Sequence, residues 1–553
     1  MHTSRKPAVT LADLSFTWAD GSPAVEGLSS VFGVGRTGLI GANGSGKTTV
    51  LRLIAGELTP TSGTVTTIGE VGYLPQHITL ATGATVGELL GVDRRLAALR
   101  SIESGDVDPV HFETLADDWD IEARSLAELD SIGLPGIGLD RPAGTLSGGE
   151  TVLTAIAGLR LSAAEVVLLD EPTNNLDRRA RHMLYEALSS WRGTLIVVSH
   201  DVALLNLMDS TAELRAGDLT MFGGPYDAYQ EHLTVEQAAA EQALRSAEQQ
   251  LKTEQRQRIE AQTKLARRQR YGRTDFENKR KPKIIMNLRK QEAQVSAGKL
   301  RGQLDASVDA AQEAVAEQEK RVRRESTITI TLPDPEVPAG RRLAEVRDRR
   351  GQGLVLQGPE RVALTGRNGI GKTRLLETLI TGSGETDEDA GFHALAHTSR
   401  IGYLPQRLDH LDDRARILDA VAAAAPSVPD GQLRANLARF LFRGDAICRR
   451  IGDLSGGERF RVALAALLLA DPPHQLLILD EPTNSLDLHS IDELVDALSA
   501  YHGGLLVVSH DDAFLGRLGI TTWVTMDQAG LHRGPAQSRG LPAGWAHYRL
   551  GML

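Results

Sequence analysis

Two stretches of this chain carry the residue types that chemistry on a phosphate chain requires. Gly41-Ala-Asn-Gly-Ser-Gly-Lys-Thr48 follows the strand-like run Arg36-Thr-Gly-Leu-Ile40 and leads into a predicted helix over Thr49 to Leu58. Gly366-Arg-Asn-Gly-Ile-Gly-Lys-Thr373 follows Val362 to Thr365 in the same way. Glycines at these spacings let backbone N–H groups turn inward around phosphate oxygens, and the helix N-terminus adds a partial positive charge. The lysine, Lys47 or Lys372, reaches the terminal phosphates, and the hydroxyl of Thr48 or Thr373 ligates a magnesium ion. The candidate nucleotide contacts are Gly41, Asn43, Gly44, Gly46, Lys47, Thr48 and Thr49 in the first half. In the second half they are Gly366, Asn368, Gly369, Gly371, Lys372, Thr373 and Arg374.

A second set of residues fits the other half of that chemistry. Asp170 and Asp480 end apolar strands, where a carboxylate holds magnesium through water. Glu171 and Glu481 follow directly and are placed to polarise the water that attacks the terminal phosphate. His200 and His510 sit just past another apolar strand, Thr194 to Val198 or Leu505 to Val508. An acid pair after a strand also caps a helix, and a lone histidine there is ordinarily a packed residue.

These motifs require strands to deliver them and helices to follow, and the chain supplies both twice. Gly72-Tyr-Leu-Pro-Gln76 recurs as Gly402-Tyr-Leu-Pro-Gln406, Leu146-Ser-Gly-Gly-Glu150 as Leu454-Ser-Gly-Gly-Glu458, and Asp170-Glu-Pro-Thr-Asn-Asn-Leu-Asp177 as Asp480-Glu-Pro-Thr-Asn-Ser-Leu-Asp487. The offsets are 325 residues for the lysines, 308 for the serines and 310 for the strand aspartates and the histidines. Near-constant spacing means a duplicated domain. Val9 to Trp18 alternates apolar and polar residues and predicts edge strands.

Between the halves the character changes. From Lys264 to Lys290 there are eleven Lys or Arg against two acids, a net of +9 in a chain whose total is −11. An acidic body with one basic segment points to a polyanionic partner met at one place, against the plainer reading of a solvated helix face. Ala240, Leu244, Ala247 and Leu251 repeat at spacings of four, three and four, and Leu300, Leu304, Val308, Ala311, Val315 and Val322 make a similar stripe. Two such stripes predict an antiparallel coiled-coil hairpin with arms of about 40 residues, roughly 60 Å long. Tyr271-Gly-Arg and Lys281-Pro-Lys are expected to break the helices near its tip. Domain boundaries follow: a nucleotide-binding domain over 1–227, the basic linker over 228–325 with its tip at about 270–296, and a second nucleotide-binding domain over 326–553.

The single cysteine, Cys448, cannot form an internal disulfide, and no Cys or His cluster has zinc or iron–sulfur spacing. No apolar run approaches the roughly 20 residues that span a bilayer, and no apolar segment follows the N-terminal Met1 to Pro7. A cytoplasmic protein without a membrane domain is expected. About 43 residues follow His510, room for closing strands and a short tail.

The paired motif sets resemble those of the ATP-binding-cassette superfamily, whose LSGGE signature separates it from other phosphate-loop proteins. Two cassettes in one chain with a charged helical linker look like the F subfamily, the translation-associated and antibiotic-resistance ATPases, and in particular its actinobacterial ribosomal-protection members. The implied fold is α/β: two nucleotide-binding domains joined by an antiparallel α-helical coiled coil. The resemblance implies ATP and Mg²⁺ as cofactors and hydrolysis of ATP to ADP and phosphate. It makes Glu171, Glu481, His200 and His510 the catalytic set, with each histidine sensing the γ-phosphate. Gln76 and Gln406 join Thr48, Thr373, Asp170 and Asp480 around the metal. Ser147, Gly148, Gly149 and Glu150, and Ser455, Gly456, Gly457 and Glu458, act in trans, so that Lys47 pairs with Ser455 and Lys372 with Ser147. Trp18 lies where the family stacks an aromatic on adenine.

For the linker, the resemblance implies a 70S ribosome as partner. The hairpin enters the exit site and contacts 23S rRNA and P-site tRNA near the peptidyl-transferase centre. Arg267, Arg268, Arg270, Arg273, Lys279, Arg280, Lys281, Lys283, Arg289 and Lys290 would neutralise phosphates, and Ile285 and Met286 would wedge against unpaired bases. DNA is not an expected target, and the two cassettes close on each other within one chain. Antibiotic resistance of macrolide–lincosamide type is the favoured role, ahead of a housekeeping factor for stalled ribosomes. The ATPase subunit of a drug exporter would need a cassette surface for membrane helices instead of a basic hairpin. A DNA-repair ATPase would carry much longer coiled coils or zinc modules.

The two sites are expected to be unequal. From Glu325 to Gly391 there is no Phe, Tyr or Trp, and the first signature continues Thr151-Val-Leu-Thr where the second continues Arg459-Phe-Arg-Val. Both departures fall on the site of Lys372 and Ser147. Single-turnover hydrolysis by Glu171→Gln protein, which leaves only that site, should therefore be slower than by Glu481→Gln protein; equal rates would contradict the asymmetry.

Overall fold

The computed structural model describes residues 7–78, 83–277, 283–321, 332–381, 392–406, 408, 411–484 and 486–534. Within these, it describes the backbone alone at 7, 268–269, 271–277, 283–295, 297 and 320–321. The chain forms two compact units, one from Met1–Tyr226 with Thr327–Leu553, the other from Asp227–Ser326.

The first unit holds the two cassettes. In the first cassette a six-stranded sheet runs in the order Val71–Leu74, Val166–Asp170, Thr194–Val198, Gly35–Ile40, Ser210–Arg215, Asp218–Phe222, parallel except for the last strand. Val166–Asp170 and Thr194–Val198 are buried at every residue, which is why they read as unbroken apolar runs instead of alternating ones. The second cassette repeats the order with Ile401–Leu404, Leu476–Asp480, Gly504–Val508, Arg361–Gly366, Thr522–Asp527 and Gly530–Gly534. Parallel register brings the ends of three strands to one edge. Leu39 and Asp170 both pair with Val198, so the phosphate loop, the acid pair and the histidine loop leave the sheet together. Ligands in open α/β sheets bind at that carboxyl edge.

Each cassette adds a three-stranded antiparallel sheet. In the first, Pro7–Thr17 lies between Pro23–Gly33 and Ser62–Thr67. The edge strands expected over Val9 to Trp18 are thus one central strand. It pairs on both sides, and its irregular register accommodates Asp13 at φ 50°. The helix after the first phosphate loop begins at Lys47 and ends at Ile54, four residues before the expected Leu58. The step between Gln76 and the signature holds helices Val86–Leu89, Asp93–Glu103, Pro109–Leu115 and Ile121–Ser131. The second cassette uses Ile417–Ala424 and Asp430–Arg439 with short 3₁₀ turns.

The second unit is two helices, Tyr226–Glu277 of 52 residues and Lys283–Arg321 of 39. At 1.5 Å per residue these run roughly 80 and 60 Å. Ala240, Leu244, Ala247 and Leu251 are half-buried while their neighbours are largely exposed, and Leu265, Val308 and Ala311 are buried. Arg258 and Asp305 join the two helices at 3.5 Å. Two expectations are corrected. Tyr271-Gly-Arg does not break the first helix, which runs through it to Glu277; a single glycine costs a helix only about 1 kcal/mol, too little to end a 52-residue one. Leu300 is exposed and does not join the buried stripe. Val322 and the tip residues Lys279, Arg280 and Lys281 lie outside the described residues, as do the side chains of Arg268, Arg273, Lys283, Ile285, Met286, Arg289 and Lys290.

The signature helix Gly148–Leu161 seats on the helical layer through a bare glycine. A Cβ at Gly158 would stand 2.7 Å from the Leu90 carbonyl oxygen and 2.9 Å from the Leu90 Cα. Alanine in mid-helix normally stabilises by about 1 kcal/mol over glycine; here the backbone contact reverses the sign. Gly158→Ala should destabilise by about 1–3 kcal/mol, read as a melting temperature several degrees lower in thermal unfolding.

Candidate functional site

A cavity of about 570 Å³ lies at the carboxyl edge of the first sheet, and one of about 610 Å³ at that of the second. The phosphate loop forms the floor of each. Gly46 takes φ 100°, and a Cβ there would meet the Ala24 carbonyl oxygen at 2.7 Å, so the loop closes only with glycine. Lys47 is buried, and its Nζ donates to the carbonyls of Gly41 at 2.7 Å and Ala42 at 3.0 Å. Lys372 repeats this with Gly366 at 2.8 Å and Arg367 at 3.2 Å. Burial lowers both ammonium groups, and the nearby acids Glu171 and Glu481 oppose it. Asn43, Gly44, Thr48 and Thr49 line the first cavity, and Asn368, Gly369, Gly371, Thr373 and Arg374 the second.

Oxygen donors suited to a small divalent cation converge beside the lysines. Thr373 Oγ1 donates to Asp480 Oδ2 at 2.8 Å, and Gln406 lines the same cavity. In the first site Thr48, Gln76 and Asp170 take these places. Both Asp170 oxygens are buried without a hydrogen bond of ordinary geometry, an orphaned acceptor pair that fits a hydrated hard cation. Burial raises both aspartates, opposed first by the Thr48 or Thr373 hydroxyl and then by the lysine.

The glutamates that follow are held in a strained backbone. Glu171 has φ 48° and Glu481 φ 47°, left-handed values that cost a non-glycine residue about 1 kcal/mol or more. Each N–H donates to the last carbonyl of the neighbouring strand, Val198 or Val508, at 2.8 Å. That bond fixes the reversal that turns the carboxyl into the cavity. His200 Nε2 stands 3.1 Å from Glu171 Oε1, and His510 Nε2 stands 3.3 Å from Glu481 Oε1. Burial, then the adjacent lysine, lowers both imidazoles to about 3, so they are neutral. Burial raises Glu171 well above the carboxylate range and Glu481 to about 7. His510 Nε2 also lies 3.0 Å from Lys372 Nζ and 3.0 Å from Asn368 Oδ1, so it touches the phosphate loop and the glutamate at once.

Each cavity is walled in part by the other cassette. Gly456 lines the first cavity, and Asn175 and Leu176 line the second. Asn43 N donates to Asp487 Oδ2 at 2.8 Å, Asn368 Nδ2 donates to the Asn175 carbonyl at 2.7 Å, and Gln406 Nε2 donates to Asn175 Oδ1 at 3.2 Å. The signature serines cap their helices: Ser147 and Ser455 accept from Glu150 N and Glu458 N at 3.3 Å, and the glutamates accept from the serine N–H groups at 2.7 and 2.9 Å. The signature glycines divide in role. Gly148 and Gly456 have open space where a Cβ would stand, while a Cβ at Gly149 would stand 2.8 Å from Ala180 Cβ and one at Gly457 3.4 Å from Ser490 Oγ. Of the first signature, Ser147, Gly148 and Gly149 do not line the second cavity, although Glu150 feels the charge of Arg367 beside it.

Asn175 and Asp487 lie in the runs that end at Asp177 and Asp487, and their place in a motif repeated at a constant offset is the signal in the sequence that marks them. Arg181 had none, because Ile491 stands at its place in the second cassette. Its guanidinium lies 3.4 Å from Asp201 Oδ2, to which Tyr185 Oη donates at 2.5 Å. Asp511, the matching residue after His510, is raised by burial and then by Asp201, and Arg181 opposes both. Arg178 pairs with Asp512 across the same boundary. Arg181 is thus the cation that lets the carboxylates after the two histidines approach. Removing one partner of a buried pair costs about 3–5 kcal/mol. Arg181→Met should lower the unfolding midpoint accordingly, and adding Asp201→Asn should recover part of the loss in a double-mutant cycle.

Residues 31–174 and 352–484 match the family described as ABC transporter. The chain is 34% identical over 518 residues to the tylosin resistance ATP-binding protein TlrC of Streptomyces fradiae, an alignment covering 86% of this chain and 89% of that protein. It is 31% identical over 506 residues to the putative ATP-binding protein YdiF of Bacillus subtilis, covering 87% and 74%. The archaeal ribosome recycling factor aABCE1, solved with the stalk protein aP1, aligns over 93% of this chain and 87% of its own at 20% identity with a TM-score of 0.53, a likeness of fold. Among the described residues no helix is long and apolar enough to cross a membrane. With two cassettes, two lysine-floored cavities and these relatives, the chain belongs to the ATP-binding-cassette family, in its F subfamily, and is an ATP hydrolase.

Proposed function

We propose that this ATPase is a cytoplasmic protein that binds the 70S ribosome with ATP in both cavities and leaves after hydrolysis. Its domains are a first cassette over 1–227, a linker over 228–325 and a second cassette over 326–553. Thr48, Asp170 and Gln76, or Thr373, Asp480 and Gln406, would hold Mg²⁺, which would supply neutralisation of charge on the terminal phosphates. Lys47 and Lys372 turn their Nζ donors from the loop carbonyls to the phosphate oxygens. Glu171 and Glu481, turned inward by their left-handed backbone, orient the attacking water. His200 and His510 link the terminal phosphate to the glutamate. Gly148 and Gly456, bare on the side away from their helices, close over nucleotide bound to the opposite cassette.

The linker hairpin enters the ribosomal exit site toward P-site tRNA and the peptidyl-transferase centre, its basic residues from Arg267 to Lys290 meeting 23S rRNA. The role is protection of the ribosome from an antibiotic of macrolide or lincosamide type. The observation that carries this reading is the near full-length relation to a tylosin resistance protein. A segment of net +9 between the two cassettes supports it, since a polyanion is the partner such a charge selects.

Glu171→Gln/Glu481→Gln protein should co-sediment with 70S ribosomes with ATP and not without it, and replacing residues 264–290 with neutral helix formers should abolish the binding. Expression of the wild type should raise the macrolide tolerance of a susceptible host. A trapped, ATP-filled protein that ignores ribosomes and co-purifies with an integral membrane protein would be an exporter subunit instead.

A further inference from the structure

The two cavities differ most where a nucleobase would lie. In the first cassette Trp18 N donates to the Ser22 carbonyl at 2.9 Å, and Gly21 N donates to the Trp18 carbonyl at 2.9 Å. In the second, Asp348 N donates to the Gln352 carbonyl at 2.8 Å, and Gly351 N to the Asp348 carbonyl at 2.9 Å. Bond for bond, Asp348 stands where Trp18 stands.

The two side chains go opposite ways. Trp18 is 41% exposed, sits edge-on to Phe16 at 5.0 Å, and lines its cavity together with Ser22, Pro23 and Ala24. Asp348 is 8% exposed. Its Oδ1 accepts from the N–H groups of Arg350 and Gln352, both at 2.9 Å, and its Oδ2 accepts from Leu531 N at 3.2 Å. The aspartate is consumed in tying its hairpin to the closing strand, and none of residues 348–354 lines the second cavity. A different exchange occurs at the phosphate end: after the metal-binding threonine, Arg374 lines the second cavity where Thr49 lines the first. The first site presents a ring to the base. The second adds a cation near the phosphates, and among the described residues no aromatic side chain lines it.

Stacking on an aromatic side chain is worth roughly five- to a hundred-fold in affinity, more for the broad face of a purine than for a pyrimidine. From this we infer that the second site accepts purine and pyrimidine nucleoside triphosphates alike, reading triphosphate charge, whereas Trp18 makes the first site select purines. The inference rests on reading both cavities as nucleotide sites.

The test is equilibrium dialysis of the full-length chain with Mg²⁺ and labelled ATP or UTP, with one site disabled at a time. Lys372→Ala protein, with the first site alone, should bind ATP at least fivefold tighter than UTP, and adding Trp18→Ala should bring the ratio below two. Lys47→Ala protein, with the second site alone, should show a ratio below two without further change, and Arg374→Thr should weaken both nucleotides equally. If a lysine variant binds too weakly to measure, Glu171→Gln protein preloaded with ATP is used, and UTP should compete with hydrolysis at the second site within twofold of ATP. A fivefold or greater preference for ATP at the second site overturns the inference, as does a first site that does not discriminate. Absence of nucleotide binding in the wild-type chain would instead overturn the reading of the cavities themselves.

Discussion

Neither nucleotide cavity is finished by the cassette that carries its lysine, and the rest of the structure depends on that incompleteness. The backbone N–H of Asn43 is satisfied by Asp487, and the amides of Asn368 and Gln406 by Asn175. Asn175 lies four residues past Glu171, and Asp487 six past Glu481. The turn that sets Glu171 therefore also sets Asn175, which reaches into the second site, and the turn that sets Glu481 sets Asp487, which reaches into the first. Each glutamate is joined to a hydrogen bond in the opposite cavity by that short run of chain.

The strain at the glutamates belongs to the same device. A glutamate that simply continued its strand would put its carboxyl out to one face of the sheet instead of into the cavity at the carboxyl edge. A left-handed turn at Glu171 and Glu481 redirects it, and the adjacent strand supplies the carbonyl that holds the turn. Burial then raises the carboxyl, while the lysine across the cavity opposes that rise. An arriving triphosphate draws the lysine from its loop carbonyls, so the charges around the glutamate change when substrate binds. His200 Nε2 and His510 Nε2 lie 3.1 and 3.3 Å from the glutamate carboxyls, so each histidine bounds the same cluster of charges.

Most of the site was legible because the same motifs occur twice at nearly constant offset, and the structure brings the phosphate loops, acid pairs, glutamines and histidines around two cavities. The apolar runs marked the buried strands that deliver them, while the order of those strands in the sheet was not read from the sequence. What was not legible has local physical causes. Alternation over Val9 to Trp18 cannot distinguish an edge strand from a central one, since both bury one face. The glycine at 272 looked like a breaker only because a two-residue window hides the 52-residue helix that outweighs it. The resemblance implies that Ser147 completes the second cavity, but of its cassette only Asn175 and Leu176 line it. Arg181 is invisible to repeat logic, because it matters by having no twin.

The lack of a twin bears on how two copies of one domain come to differ. A duplicated cassette starts with equivalent sites, and a substitution in the shared boundary is felt by both. At Arg181 one cation in the first cassette serves Asp201 from its own side and Asp511 from the other, while Ile491 offers the boundary nothing charged. The second histidine loop thus feels Asp201 and Arg181 of the first cassette, while His200 and Lys47 of the first feel Asp487 of the second. The base platform differs in another way: Asp348, which satisfies three backbone donors, stands where the first cassette has Trp18, so the hairpin is tied together by the residue whose counterpart lines the first cavity. Both changes leave the phosphate loop, metal ligands and glutamate of the second site in place. A site altered in this way keeps its grip on triphosphate and its cross-boundary hydrogen bonds, and so can still hold the cassettes closed. It sheds only the features by which the first site recognises which nucleotide has arrived.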